Sequence, residues 1–239
     1  MATMTLDELV SQLRAAYGSD LRSVVLYGSA AAGEHIPKRS DYNVLVVADT
    51  LGMPQLRAAA AVARAWGEAG NPPPLTLTSQ EWRGSADIFP MEYADILERH
   101  RILFGEMPFE GLHVEPRDLR LQLEHEAMGK LLKLRQGVLG AGGDPKRQLE
   151  LLAASLSTIM VVFRAVVRLH GAVPPTDNLA LSRTVAGYAG FDAAPFERVV
   201  RHVRGEQAIP AAESGDVLAA YIGGMERLVG YLDRYSPAA

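Results

Sequence analysis

Leu26-Tyr27-Gly28-Ser29-Ala30-Ala31-Ala32-Gly33, followed by Lys38-Arg39-Ser40-Asp41-Tyr42-Asn43-Val44-Leu45-Val46-Val47, is the stretch on which the reading of this chain turns. Ser23 to Tyr27 is apolar and rich in β-branched residues, which predicts a buried strand closed by Gly28. Ser29 to Ala32 predicts a short helical segment, and Asp41 to Val47 a second strand. Gly28 lets an anion approach the backbone closely, and Ser29 adds a hydroxyl beside the N–H groups at a helix start. Side chains two apart on a strand share a face, so Asp41 and Asn43 are expected to converge on one cation.

This order of strand, Gly-Ser, helix, glycine, basic pair and Ser-Asp-x-Asn strand resembles the nucleotidyltransferase superfamily. That superfamily has the polymerase-β-like fold of antibiotic nucleotidyltransferases and minimal nucleotidyltransferases, with a Gly-Ser turn followed by an Asp-x-Asp strand. The resemblance covers the quoted stretch closely and the remainder only as a pattern of elements. It implies transfer of a nucleoside monophosphate from an NTP, ATP first, to a hydroxyl acceptor with Mg²⁺ or Mn²⁺. Gly28, Ser29 and Lys38 would then meet the phosphates, and Asp41 and Asn43 the metal. Mg²⁺ is commonly held by one or two carboxylates together with substrate phosphates. The acceptor is open among a small molecule, a protein side chain and an RNA end.

Two departures from the pattern matter. The second carboxylate of the family is Asn43 here, and a unit charge close to a dication is worth several kcal/mol even at an effective dielectric of about 20. The third carboxylate, which in the family completes the site and acts as general base, is expected on a neighbouring strand, where this chain has Thr76 or Thr78. Asp87 and Glu92 are the candidates further on, with Arg99 or Arg101 as alternative partners for Glu92. A degenerate transferase-like module that binds nucleotide or a partner protein without turnover is the alternative reading.

Outward from this core, Thr5 is a plausible cap for the Leu6, Leu9, Val10, Leu13 stripe. Pro54 to Glu68 reads as a helix with proline in its first turn, and Pro74 to Thr78 as a third strand. Residues 85–105 mix both periods, with Ile88 to Tyr93 readable as strand. Strands alternating with helices imply an α/β (α+β) domain with a mixed sheet over 1–112. From 113 to 239 only helical periodicity appears, near 119–139, 149–170, 179–189, 195–205 and 213–235, which implies an all-α helical bundle. Leu121, Met128, Leu131, Leu132 and Leu139 are taken as the inward face of the first of these helices.

Within the helical half, Arg164 and His170 have the spacing of HEPN-type RNA-acting helical domains, a weaker alternative. A basic and an imidazole side chain near a helix C-terminus also simply complement the helix dipole. Arg198, Arg201, Arg204 and His202 form a basic face, which solvent or a phosphate would satisfy. His35 and Arg39 read as solvated loop residues.

Composition narrows the classes. The 239 residues carry a formal charge of −4, with 48% hydrophobic residues, as in an ordinary globular protein. Mild acidity argues against direct DNA binding. With no cysteine, disulfides, thiolate zinc sites and cysteine nucleophiles are excluded. No signal-peptide pattern opens the sequence, and the apolar run Leu151 to Phe163 is shorter than a bilayer span. A cytoplasmic protein with no membrane partner is the expectation.

Overall fold

In the computed structural model, residues 4–28, 30–31, 41–106 and 109–236 are described. Four strands, β1 (Leu21–Tyr27), β2 (Asn43–Ala48), β3 (Leu75–Thr78) and β4 (His100–Gly105), form one sheet in the order β3-β2-β1-β4. β1 pairs antiparallel with β2 and β4, while β2 pairs parallel with β3, so the sheet is mixed. The two central strands are nearly continuous apolar runs because both faces are covered. On one face Val24, Leu26, Val44 and Val46 pack against Leu9, Leu13, Val62 and Trp66, carried by α1 (Leu6–Tyr17) and α2 (Met53–Glu68). On the other, Val25, Leu45 and Val47 meet Trp82, Tyr93 and Ile96 of α3 (Ser79–Gly84) and α4 (Pro90–Glu98).

α4 corrects the possible strand at 88–93. Pro90 has no N–H to contribute to a ladder but suits a first helical turn. Phe89 and Ile88 donate backbone hydrogen bonds back to the Ser85 carbonyl, closing a turn that launches the helix. The strand of this region comes later, as β4.

The chain divides into two compact units between Val114 and Glu115. The second contains α5 (Pro116–Ala141), α6 (Pro145–Leu169), α7 (Asn178–Ala189), α8 (Ala194–Arg204) and α9 (Ser214–Arg234). Gly142 in the left-handed conformation ends α5, and the Asp144 carboxylate accepts from the Lys146 and Arg147 N–H groups to start α6. α6 packs against α5, α7, α8 and α9. It is long and apolar enough to cross a membrane, with half of its most apolar window buried inside the protein, and a bundle's central helix has that same character.

The inward face of α5 differs from expectation. Leu119, Leu123, Ala127, Leu131, Leu134 and Ala141 are buried. Leu121, Met128, Leu132 and Leu139 are instead exposed, by 63%, 40%, 48% and 83%. The helix has two apolar stripes, and α6 and α9 cover only one of them.

Candidate active site at the open end of β1 and β2

The site begins where β1 stops. Gly28 has φ 75°, in the left-handed region that a side chain strains to enter. Its N–H donates to the Arg99 carbonyl at 3.1 Å, and its own carbonyl accepts from Ala31 at 3.1 Å, so the backbone turns sharply here. Tyr27 lies opposite Asn43 on β2 and His100 on β4. A Cβ on Gly28 would lie 3.4 Å from the Asn43 Nδ2 and 3.7 Å from the Asp95 Oδ2. A side chain at Gly28 would therefore crowd an amide from β2 and a carboxylate from α4.

Asp95 is the functional candidate that the sequence reading missed. Its Oδ1 accepts from the Arg99 Nη2 at 2.9 Å, one helical turn on, while Oδ2 is the oxygen near Gly28. Both side chains are largely buried, Asp95 by about three quarters. An Asp and an Arg four apart are detectable in sequence, but only once Pro90 to Glu98 is read as helix.

Glu92 is exposed in the first turn of α4. Burial, then the Asp95 charge and then that of Glu92 raise the Tyr27 phenol above its ordinary value. Asp87 follows α3 and precedes α4. It acts on Tyr93, whose hydroxyl donates to the Trp82 carbonyl at 2.7 Å and is pushed up to about 12, chiefly by burial. The threonines of β3 are locally committed. Thr76 donates to the Pro74 carbonyl, and Thr78 caps α3 through the Glu81 N–H.

Asp41 is exposed, two residues before β2 proper begins at Asn43. Ser29 and Lys38, together with His35 and Arg39, lie outside the described residues. Among the described residues no group of three or more His, Asp or Glu side chains is placed to hold a metal ion. The donors beside Gly28, one amide and a carboxylate shared with a guanidinium, would not by themselves hold two dications, even with the exposed Asp41 that precedes β2. They fit a single Mg²⁺ that keeps most of its ligands from phosphates and water.

The other charged motifs have internal work. Arg164 donates to the Asn178 Oδ1 at 2.9 Å. His170 stacks on Tyr188 with ring centroids 3.8 Å apart, and its Nε2 meets the Tyr231 hydroxyl at 2.6 Å. On α8, Arg198 pairs with Glu213, Arg201 with Glu197 and Arg204 with Asp177, while His202 accepts from the Ile209 N–H. The basic face of α8 is thus engaged within the bundle, Arg198, Arg204 and His202 with residues outside α8 and Arg201 within its own helix.

No family model matches the sequence, and no curated protein matches it significantly. Among solved structures, the chain is similar to spectinomycin adenyltransferase AAD(9) from Enterococcus faecialis, crystallised with ATP and spectinomycin. The TM-score is 0.56 at 13% identity, over 95% of this chain and 97% of that one. At that identity the likeness is one of fold, and the fold is nucleotidyltransferase-like: a mixed four-stranded sheet with helices, followed by a helical region.

Proposed function

We propose that this chain transfers a nucleoside monophosphate from an NTP, ATP first, to a hydroxyl on a small-molecule acceptor. The observation that carries the reading is the meeting of Gly28, Asn43 and the Asp95 carboxylate at the open end of β1 and β2. The likeness to an adenyltransferase bound to ATP and spectinomycin supports it, and makes spectinomycin the first acceptor to try.

In this reaction the acceptor oxygen attacks the α-phosphorus, the bond from that phosphorus to the bridging oxygen breaks, and pyrophosphate leaves. The proton of the acceptor hydroxyl passes to a carboxylate of α4. Asp95 is the one carboxylate among the described residues within 4 Å of a Gly28 Cβ position, and takes that role; Glu92, one turn earlier, is the second candidate. Arg99 holds one Asp95 oxygen, and the other lies 3.7 Å from the Gly28 Cβ position. Asp41 and Asn43 would hold Mg²⁺, which when bound offsets phosphate charge. Gly28 gives the phosphates room, with Ser29 and Lys38 completing the cradle in the pattern the sequence supplies. Binding and orientation carry most of the work in phosphoryl chemistry of this kind.

A second reading is favoured by Asn43 and by the Asp95–Arg99 pair, which lower the negative charge available to cations: a transferase-like site that binds nucleotide without turnover. Incubation with α-labelled ATP, Mg²⁺ or Mn²⁺ and a panel of acceptors separates the two. Label on an acceptor, lost in Asp41→Ala, supports transfer. An ATP-induced thermal shift without label under any acceptor or cell extract supports binding alone, and absence of both overturns the site.

A further inference from the structure

We propose that α5 pairs with α5 of a second copy of this chain in an antiparallel coiled-coil seam, giving a two-fold symmetric homodimer. The starting point is the stripe on α5 that points away from its own bundle. Leu121, His125, Met128, Leu132, Arg135 and Leu139 follow one another at alternating spacings of four and three residues, the step of a heptad seam. Four of the six are large apolar side chains left 40% to 83% exposed.

The seam is also symmetric about Lys130. Leu121 and Leu139 lie equally far on either side of it, as do Met128 and Leu132, and His125 and Arg135. A two-fold interface requires that if one residue meets another, the reverse contact also forms. Antiparallel pairing centred at Lys130 satisfies this with every apolar residue placed on an apolar residue: Leu121 on Leu139 of the second copy, and Met128 on Leu132. It also matches the first and fourth heptad positions in the way antiparallel coiled coils do.

Charge selects the same orientation. Parallel pairing would bring Arg135 onto Arg135 of the second copy. Antiparallel pairing brings it beside His125 and away from the second Arg135, with Glu124 on the adjoining flank. Within one copy Arg135 pairs with Glu226 at 2.8 Å, both about half exposed, and Glu124 with Arg120 at 2.9 Å. Both carboxylates stay at the rim of the seam and moderate its charge.

Gly129 supplies an independent sign. A glycine inside a helix costs about 0.5–1 kcal/mol relative to alanine. At Gly137 internal packing requires it, because a Cβ would fall 2.4 Å from the Leu151 Cδ1. At Gly129 a Cβ would meet nothing within 4 Å. It lies one residue from the proposed two-fold, flanking the seam, where a bare backbone lets a second helix approach.

From Leu121 to Leu139 the seam is about 27 Å long, so a weak, concentration-dependent dimer is expected rather than an obligate one. The absence of native cysteine makes the test direct. Full-length Leu121→Cys/Leu139→Cys, oxidised under mild conditions, is expected to give a covalent dimer on a non-reducing gel. Leu121→Cys alone and Leu139→Cys alone are expected to give none, since each residue sits about 27 Å from its own copy. Efficient cross-linking by either single variant, or none by the double, overturns the antiparallel seam. Sedimentation of the unmodified chain is expected to show a dimer that Leu132→Glu weakens by at least about tenfold, with helicity unchanged because Leu132 is exposed. A monomer at every concentration overturns the proposal.

Discussion

Gly28, Asn43 and Asp95 come from a strand end, a strand start and a helix, and each is fixed by a different local cause. Gly28 is held by its left-handed turn, Asn43 by its register opposite Tyr27, and Asp95 by the Arg99 guanidinium. If Asp95 is the base, replacing it with Asn keeps the shape but removes the proton acceptor, and labelling of an acceptor is expected to fall about 100-fold or more, the usual worth of a positioned base. Asn43→Asp restores a negative charge beside Gly28, and labelling is expected to rise, with a lower Mg²⁺ requirement in the same assay. In the helical unit, burial holds the His170 imidazole below its ordinary value. The unfolded chain therefore takes up that proton more readily than the folded one, and stability is lost as pH falls below about 6.5 toward the folded value. Chemical denaturation midpoints from pH 7.5 to 5 are expected to decline less in His170→Phe. The turn at Gly28 and the strand start at Asn43 were legible because local sequence, a glycine after one apolar run and the start of another, marks them. Asp95 was not, since only the helical path of α4 brings it beside Gly28 and Asn43.

At the scale of elements, stop and start signals governed most boundaries. Thr5 with Glu8 forms a reciprocal cap on α1, and Asp144 caps α6. Asp144→Ala is expected to cost about 1 kcal/mol, read as a lowered denaturation midpoint of the helical signal. Packing set the rest. Gly224 on α9 stands against the buried Phe196 ring, where a Cβ would fall 2.5 Å from its Cε2. Gly224→Ala is expected to destabilise by about 1–3 kcal/mol through overpacking, outweighing the gain in helix propensity. α5 shows where periodicity ran out. Two apolar stripes lie on one helix, and their pattern alone does not say which of them its neighbours bury.

Across the whole molecule, the two units have separate hydrophobic cores, and both tryptophans, Trp66 and Trp82, are fully buried in the first. Tryptophan fluorescence is therefore expected to report unfolding of the first unit alone, while far-ultraviolet circular dichroism reports mainly the helices of the second. If ATP binds at Gly28, it is expected to shift the fluorescence transition upward, by the logarithm of ligand saturation. Coincident, equally shifted transitions by both probes would instead mean that the units unfold as one.

The sequence by itself determined the alternation of strands and helices, the helical second half, and the glycine turn with the apolar strand that follows it at Asn43. Each of these rests on contacts between near neighbours, on turn chemistry, or on a periodicity that burial imprints along one element. Tertiary structure alone decided that residues 90–98 are helix, that Asp95 and Arg99 complete the Gly28 corner, and which stripe of α5 faces inward. Those outcomes depend on what packs against each element from elsewhere in the chain, and no local pattern carries that.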